Sequence, residues 1–279
     1  MIPMKRNSKY IKTLLLAAAF GALGFAYIPN TAAQNKNNKE PLEISADGTL
    51  EWHRNDNMYI ARGKAVAAQG NTTIKAQVLE AYYREPEKGG MEIWKIIAKD
   101  QVEIDAPNGR AFGDKAVYNL DDAKAVMTGK ALKMTSDGQV LTANERFEYF
   151  TQQSKLVAIG NAKIVRPAET LESQNMTAWF KDGQDTRELS RAEAEGNVVI
   201  TTAEEKITGN KGIYRKDENK AEILGDVVIT RGPNILKGTR AELDLLTNIS
   251  RIFGGETSGG DTRVRGTFYP DSTDKKAVQ

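Results

Sequence analysis

The sequence predicts an all-β fold built from repeated units of antiparallel strands. The first observation is a short phrase that recurs along the chain, opened by a glycine and followed by apolar residues. The second is the period-two alternation of apolar and polar residues that is typical of strands, as in Ile207-Thr-Gly209. The third is the placement of turn residues, such as Asp217-Glu218-Asn219, between the alternating runs. Together they indicate short strands joined by hairpins.

The recurring phrase defines a unit of roughly 30 residues, the spacing of a repeat architecture. Its anchors, with Asp100 where the other units have glycine, are Gly63, Asp100, Gly129, Gly160, Gly196, Gly225 and Gly254. Successive anchors are 37, 29, 31, 36, 29 and 29 residues apart. The two long steps contain polar insertions at 84–90 and 181–187, which we interpret as lengthened hairpin loops. Residues 186–195 are the best helix candidate, but they are polar and lie where a loop is expected, so we predict that the chain is almost wholly β.

Two further regularities support this register. A bulky side chain stands eleven residues before five of the seven anchors, at Trp52, Tyr118, Tyr149, Tyr214 and Leu243. Small residues occupy strand positions where other units have Val or Ile, at Ala46, Ala65, Ala76, Ala143, Ala162, Gly209 and Gly238. Small side chains there either let two sheets approach each other or leave room for a guest, and the sequence leaves both open.

The first 33 residues have the layout of a secretory signal peptide. Lys5, Arg6, Lys9 and Lys12 precede an apolar run over residues 14–28, and small residues at 31–33 offer a cleavage site. The apolar run is 15 residues long, whereas a bilayer span needs about 20, so an uncleaved anchor is the weaker alternative. We expect a signal peptide over 1–33, a flexible leader over 34–40, the repeat domain over 41–254, and a C-terminal edge strand with a polar tail over 255–279.

Composition excludes several classes of function. Removing the four basic residues of the signal peptide from the 39 in the chain leaves 35 basic against 37 acidic side chains, which gives no electrostatic case for nucleic acid. The chain has no cysteine and one histidine, His53, which we expect to be a surface residue; this excludes a disulfide framework and thiolate metal ligands. We find no catalytic motif and expect no cofactor, no metal and no enzyme activity. The adjacent acids Asp121-Asp122 and Glu204-Glu205 are expected to be solvent-exposed and to aid solvation rather than catalysis.

At the repeated phrase the sequence resembles a known family. Residues 59–70, Tyr-Ile-Ala-Arg-Gly-Lys-Ala-Val-Ala-Ala-Gln-Gly, followed by Thr73-Ile-Lys-Ala, are similar to the opening motif of the OstA-like lipopolysaccharide-transport proteins. The leading Pro41-Leu-Glu-Ile-Ser-Ala-Asp is similar as well, and the resemblance covers about residues 41–254. Asp100, in place of a glycine, departs from the pattern and is expected to open a bulge.

The resemblance implies an open, twisted β-jellyroll with an apolar interior, located in the periplasm. It further implies a bridge that shields the acyl chains of lipopolysaccharide, through its lipid A part, between the inner and outer membranes. The implied partners are an inner-membrane transport complex and an outer-membrane translocon, joined by strand addition, and further copies of the same chain in head-to-tail association. Nucleic acid is not among the implied partners.

Alternation along the strands gives a set of inward-facing residues that we expect to contact lipid. They are Val102, Ile104, Tyr118, Tyr149, Ile164, Val198, Ile200, Tyr214, Val227 and Ile229. Three other functions remain open. These are a membrane-anchored relative in the same pathway, a polysaccharide-active β-solenoid enzyme with a cluster of acids on one sheet, and a structural scaffold with a solid interior.

Overall fold

The computed structural model describes residues 41–269, apart from residues 88, 108, 137, 183–186, 245, 248 and 256–262. The expected signal peptide, the leader and the end of the polar tail lie outside the described residues. Within the described part, the chain forms eighteen strands and one short 3-10 turn (Arg54–Asp56), so the prediction of an all-β jellyroll of antiparallel strands is confirmed. Where the sequence suggested a loop at residues 186–195, a strand begins at Arg187 and continues to Thr202.

The strands follow one another along the chain and range from three to sixteen residues. They are β1 (Glu43–Ser45), β2 (Thr49–His53), β3 (Met58–Gln69), β4 (Thr72–Arg84), β5 (Glu92–Ala106), β6 (Gly109–Asn119), β7 (Lys124–Thr128), β8 (Leu132–Ser136), β9 (Gln139–Ala143), β10 (Arg146–Phe150), β11 (Lys155–Val165), β12 (Glu169–Asp182), β13 (Arg187–Thr202), β14 (Glu205–Arg215), β15 (Lys220–Arg231), β16 (Asn234–Asp244), β17 (Ile249–Phe253) and β18 (Arg265–Thr267).

All eighteen strands belong to one antiparallel sheet that consists of two halves. We call half I the part that contains β2, β7, β10 and β17, and half II the part that contains β1, β8, β9 and β18. The long strands β3–β6 and β11–β16 run through both halves. At each end of the sheet, two short strands pair with the same long strand. β1 and β2 both pair with β3, and β17 and β18 both pair with β16.

The anchors of the repeated phrase lie on the crease between the two halves. At Gly160 and Asn161 both φ angles are positive, at 89° and 47°, and β11 carries one more residue there than its partner β12. Glycine and asparagine suit this left-handed conformation because it disfavours larger side chains. Asp100 and Gln101 adopt the same conformation at 64° and 54°, so the bulge expected at Asp100 is a general feature of the repeat.

The units are organised at a second level, because three of them form a module that occurs twice. Asp47 and Gly48 donate backbone hydrogen bonds to Gly63 and Arg62, and the same pattern recurs at positions shifted by 97, as from Gly63 to Gly160. The long hairpins β4–β5 and β12–β13 occupy equivalent places in the two modules. The first module runs from β1 to β8 and the second from β9 to β15, each filling six strand positions across the array.

The inward side chains of both halves form one apolar cluster. It includes Leu79 and Phe147 from half I and Ile164 and Ile207 from half II, all nearly inaccessible to solvent. Because both faces are buried against each other, the two halves form the walls of a single interior that extends along the array. Removal of this apolar surface from water stabilises the fold.

Candidate functional site

The interior is lined in half I by two continuous cross-strand rows. The row nearer the crease is Leu50, Ala61, Leu79, Ala98, Ala116, Met127, Phe147, Ala158, Met176, Ala194, Gly212, Ile223, Ala241 and Ile252. The outer row is Trp52, Tyr59, Ala81, Ile96, Tyr118, Ala125, Tyr149, Leu156, Ala178, Ala192, Tyr214, Ala221, Leu243 and Ser250. Both rows reach from the first strand of half I to the last.

The outer row explains the spacing of eleven residues seen in the sequence. Trp52, Tyr118, Tyr149, Tyr214 and Leu243 all lie in this row, as their constant offset from the anchors predicts. In the two units with lengthened hairpins, Ala81 and Ala178 occupy the same position. Their aromatic counterparts, Tyr83 and Phe180, lie two residues further along the strand and are also buried.

In half II, the predicted aliphatic residues line the wall opposite these two rows. Ile104, Ile164, Ile200 and Ile229 share one cross-strand row, which is otherwise filled by residues such as Leu141 and Leu171. Val102, Val198 and Val227 form the next row towards the crease. Of the ten predicted residues, Tyr118 and Ile104 are half-buried and the other eight are buried. The structure therefore brings all ten together around one interior.

Neighbouring side chains fill the space beside three of the glycines near the crease. A Cβ placed on Gly209 would lie 2.4 Å from Ile223 Cγ2, and one on Gly238 would lie 2.5 Å from Ile252 Cγ2. At Gly113, which the sequence analysis overlooked, the corresponding contact is Met127 Cγ at 2.7 Å. At these three positions the space serves close packing of the protein, and no room for a guest remains there.

The interior opens at both ends of the array. Leu50 and Trp52 belong to the two inward rows of half I, yet they are 56% and 49% exposed. Among the described residues, β1 and β2 pair only with β3 at this end, so one side of their backbone has no partner strand. At the other end β17 and β18 pair only with β16, and Phe268 and Tyr269 are exposed beside them.

A row of polar residues lines the interior where the hairpins of half II end. We call this row the polar belt, and it consists of Ser136, Gln139, Arg166, Glu169, Thr202 and Glu205. Its members lie two residues beyond the aliphatic row of half II, and Gln139 and Glu169 are only 2% and 7% exposed. Glu205 is buried as well, so the expectation that it serves solvation is wrong. The belt was missed, although Glu169 and Glu205 each stand nine residues after an anchor.

Hydrogen bonding within the belt is incomplete. Arg166 donates two hydrogen bonds to Gln139 Oε1, at 3.0 and 2.7 Å. Gln139 Nε2, both carboxylate oxygens of Glu169 and Glu205 Oε1 form no hydrogen bond with the protein. Burial raises the pKa of Glu169 to about 7 despite the nearby charge of Arg166, and it also raises the pKa of Glu205. A buried polar atom without a partner costs about 1–3 kcal/mol.

Carboxylates on the outer face of half I have the opposite character. Glu222 accepts hydrogen bonds from Arg215 at 3.2 Å and from Arg240 at 2.6 Å. Although partial burial acts against it, these two partners lower the pKa of Glu222. Glu193 is paired in the same way with Arg191 and Lys211. These outer-face carboxylates are thus fully paired, whereas the buried carboxyl groups of the polar belt lack hydrogen bonds.

In the part of the chain that the structure describes, no group of three or more His, Asp or Glu side chains is arranged as metal ligands would be. His53 is the last residue of β2, partly exposed, and its Nε2 lies 2.8 Å from Glu51 Oε2. No helix among the described residues has the length and apolar character that a membrane span requires.

Comparison with known proteins gives a family match over most of the described strands. The model of the family described as LptA/(LptD N-terminal domain) LPS transport protein matches residues 43–153 and again residues 145–249. These two matches correspond approximately to the two structural modules.

Two individual proteins are also similar to this chain. An uncharacterized protein of Rhizobium meliloti (strain 1021) is 22% identical over 142 residues, which are 49% of this chain and 75% of that protein. The crystal structure of Pseudomonas aeruginosa LptH, described as the LptA homologous periplasmic component of the conserved lipopolysaccharide transport device, is 12% identical. It covers 83% of this chain and 96% of its own with a TM-score of 0.22, a value too low to carry an argument.

Proposed function

The chain belongs to the LptA/(LptD N-terminal domain) LPS transport protein family, and we propose that its interior shields the acyl chains of lipopolysaccharide while that lipid crosses the periplasm. The main support is the continuity of the inward rows, which run through both modules and are exposed at Leu50 and Trp52. Each methylene moved from water into an apolar environment gains about 0.8 kcal/mol, so several long acyl chains need such a cover throughout transit. Shielding of this kind requires no catalysis.

The interior is also suited to a guest that must move. Its buried surface includes Met127, Met134 and Met176, whose unbranched, polarizable side chains repack more readily than branched ones. Met127 already fills the space above Gly113. Acyl chains would enter by displacing such side chains from one another. A scaffold with a rigid, solid interior would not allow this movement.

The open edges support assembly by strand addition. At the N-terminal edge the exposed side chains include the acidic residues Glu43 and Asp47, whereas β17 at the C-terminal edge exposes Arg251. Natural proteins usually block unpaired edges, because such edges template the pairing of other chains. Opposite charge at the two edges favours head-to-tail association of copies, and the same edges would join an inner-membrane complex and an outer-membrane translocon.

Site-specific photo-crosslinking tests lipid shielding. A photo-reactive side chain at Ile200 or Tyr149 should capture lipopolysaccharide, because both residues line the interior. The matched controls are Val199 and Val228, which are half-buried on the outer face of half II and lie beside inward residues in the same strands. Capture that does not depend on the side of the strand, or capture at no inward position, would contradict the proposal. Polysaccharide cleavage by the purified chain would favour the solenoid-enzyme alternative instead.

A further inference from the structure

The polar belt is more than a boundary of the interior, because several of its buried polar atoms form no hydrogen bond. Gln139 Nε2, Glu169 Oε1 and Oε2, and Glu205 Oε1 lack hydrogen bonds, although their residues are more than nine-tenths buried. An apolar residue in any of these positions would avoid the cost of burying a polar atom without a partner. Groups of this kind are expected where a ligand completes the hydrogen bonding.

Space for such a ligand lies beside Gln139. An open cleft of about 530 Å³ is formed where the β5–β6 and β8–β9 hairpins end, and Gln139, Ser136 and Arg110 line it. Arg166 holds the Gln139 side chain through its Oε1, which fixes the orientation of the amide and leaves Nε2 for another acceptor. The cleft is therefore adjacent to a positioned, unsatisfied donor.

The open groups define the chemistry of the ligand. The carboxyl groups of Glu169 and Glu205, whose pKa values burial raises, accept hydrogen bonds and can donate one when protonated. The amide of Gln139 donates through Nε2, so a ligand that carries both donors and acceptors matches these groups. Hydroxyl and amide groups have this character, because each can both donate and accept a hydrogen bond. Because the belt lies only two residues, or about 7 Å, beyond the aliphatic row of half II, the same ligand can reach the apolar interior.

We propose that the polar belt binds the hydroxyl and amide groups at the junction between the sugar headgroup and the acyl chains of a glycolipid. This inference rests on the proposed function and specifies how the lipid is oriented: its chains lie between the two halves, and its sugar lies at the hairpin ends of half II. The aromatic row at the other rim, with Tyr118, Tyr149 and Tyr214, lacks comparable unsatisfied groups among its described side chains.

The test compares a lipid that carries a sugar headgroup with one that has an acyl chain and no sugar. Binding of purified lipopolysaccharide and of a saturated fatty acid of matched chain length is measured for wild type, Glu169→Gln and Gln139→Leu. The matched control is Glu172→Gln, three residues along β12 and on the outer face, where Glu172 pairs with Lys163 at 2.8 Å. Melting temperature without ligand is recorded for every variant.

We expect both belt variants to weaken lipopolysaccharide binding at least tenfold and to leave fatty-acid binding within twofold of wild type, with an unchanged or higher melting temperature. The control should behave as wild type does. If the belt variants bind lipopolysaccharide normally, water satisfies the belt and the inference is wrong. Equal losses for both ligands, or a belt variant that does not fold, would assign the belt a structural role and also overturn it. Failure of the wild type to bind either lipid would instead contradict the proposed function.

Discussion

Arg166 Nη1 lies 3.5 Å from Glu169 Oε1 across the β11–β12 turn, yet neither oxygen of the Glu169 carboxylate accepts a hydrogen bond. The guanidinium of Arg166 donates its hydrogen bonds to Gln139 instead. Glu169 therefore has a neighbouring charge without the short contacts that would offset its burial. This relationship makes Glu169 the group in the interior whose protonation most directly affects the stability of the fold.

We predict that the burial of Glu169 lowers the stability of the protein as pH rises. Its pKa is about 7 in the folded protein against 4.5 for the free group, so between these values the folded state holds a proton that the unfolded chain has released. The free energy of unfolding should therefore fall from about pH 4.5 to pH 7, by roughly 3 kcal/mol at most. Urea unfolding across this range measures the slope.

Glu169→Gln should reduce this slope, because glutamine does not titrate. Some slope should remain, since burial also raises the pKa of Glu205 in the same direction. Glu172→Gln, on the outer face, should leave the slope as in wild type. A variant Glu169→Gln whose stability still falls as steeply as that of wild type would show that Glu169 is already ionised in the folded protein at low pH.

Alanine substitutions at two glycines of β14, Gly209 and Gly212, allow a matched test of the packing at the crease. A Cβ on Gly209 would lie 2.4 Å from Ile223 Cγ2, whereas one on Gly212 would lie 3.4 Å from Ile223 Cδ1, an ordinary contact. Gly209→Ala should therefore destabilise the protein by about 1–3 kcal/mol, because Ile223 must shift in a close-packed interior. Gly212→Ala should be neutral or slightly stabilising. Equal effects of the two substitutions in thermal unfolding would contradict this packing.

Asp100 is the one anchor of the repeat that is not glycine, and its φ of 64° lies in the left-handed region. Asp100→Gly should remove the steric cost of this conformation, which the gain in unfolded-chain entropy partly offsets. We expect a net stabilisation of about 0.5–1 kcal/mol by denaturant unfolding. Gly160→Ala is the reciprocal variant and should destabilise, because its Cβ would lie 2.6 Å from Glu145 Cγ. A destabilised Asp100→Gly variant would mean that the Asp100 side chain supports the bulge.

Association through the open edges should depend on concentration and on the C-terminal strand. The average mass of the protein should grow with concentration in sedimentation experiments. Ending the chain after Gly254 removes β18 and the exposed residues Phe268 and Tyr269, and should weaken this growth. Arg251→Glu should weaken it further, since it removes the charge opposite to that of the acidic N-terminal edge. A chain that stays monomeric at high concentration would contradict association between copies.

Much of the fold could be predicted from local pattern. The anchors were visible because a bulge with two left-handed residues restricts sequence strongly, as at Gly196 and Asn197. The aromatic row was visible because one bulky residue per unit keeps a constant offset from the anchor. The predicted inward residues were correctly grouped, since alternation along a strand determines which side chains share a face.

Other parts could not be predicted because their determinants are not local. Residues 187–195 are mostly polar, and their only apolar residues are Leu189, Ala192 and Ala194, so the strand depends on pairing with β12 and β14. Many positions in the row of half I nearer the crease are alanine, such as Ala98 and Ala158, and alanine gives little indication of a buried strand. The polar belt was missed because burial of Glu169 depends on tertiary packing, and a glutamate beside a turn usually lies in solvent.

Because the six-strand module recurs, the length of the strand array is a multiple of the length of one module. Adjacent strands are about 4.8 Å apart, so each module adds roughly 29 Å to the array. Because each strand contacts mainly its neighbours, whole modules can be gained or lost without changing the cross-section of the interior. The length of the array would therefore change only in steps of about 29 Å, one whole module at a time.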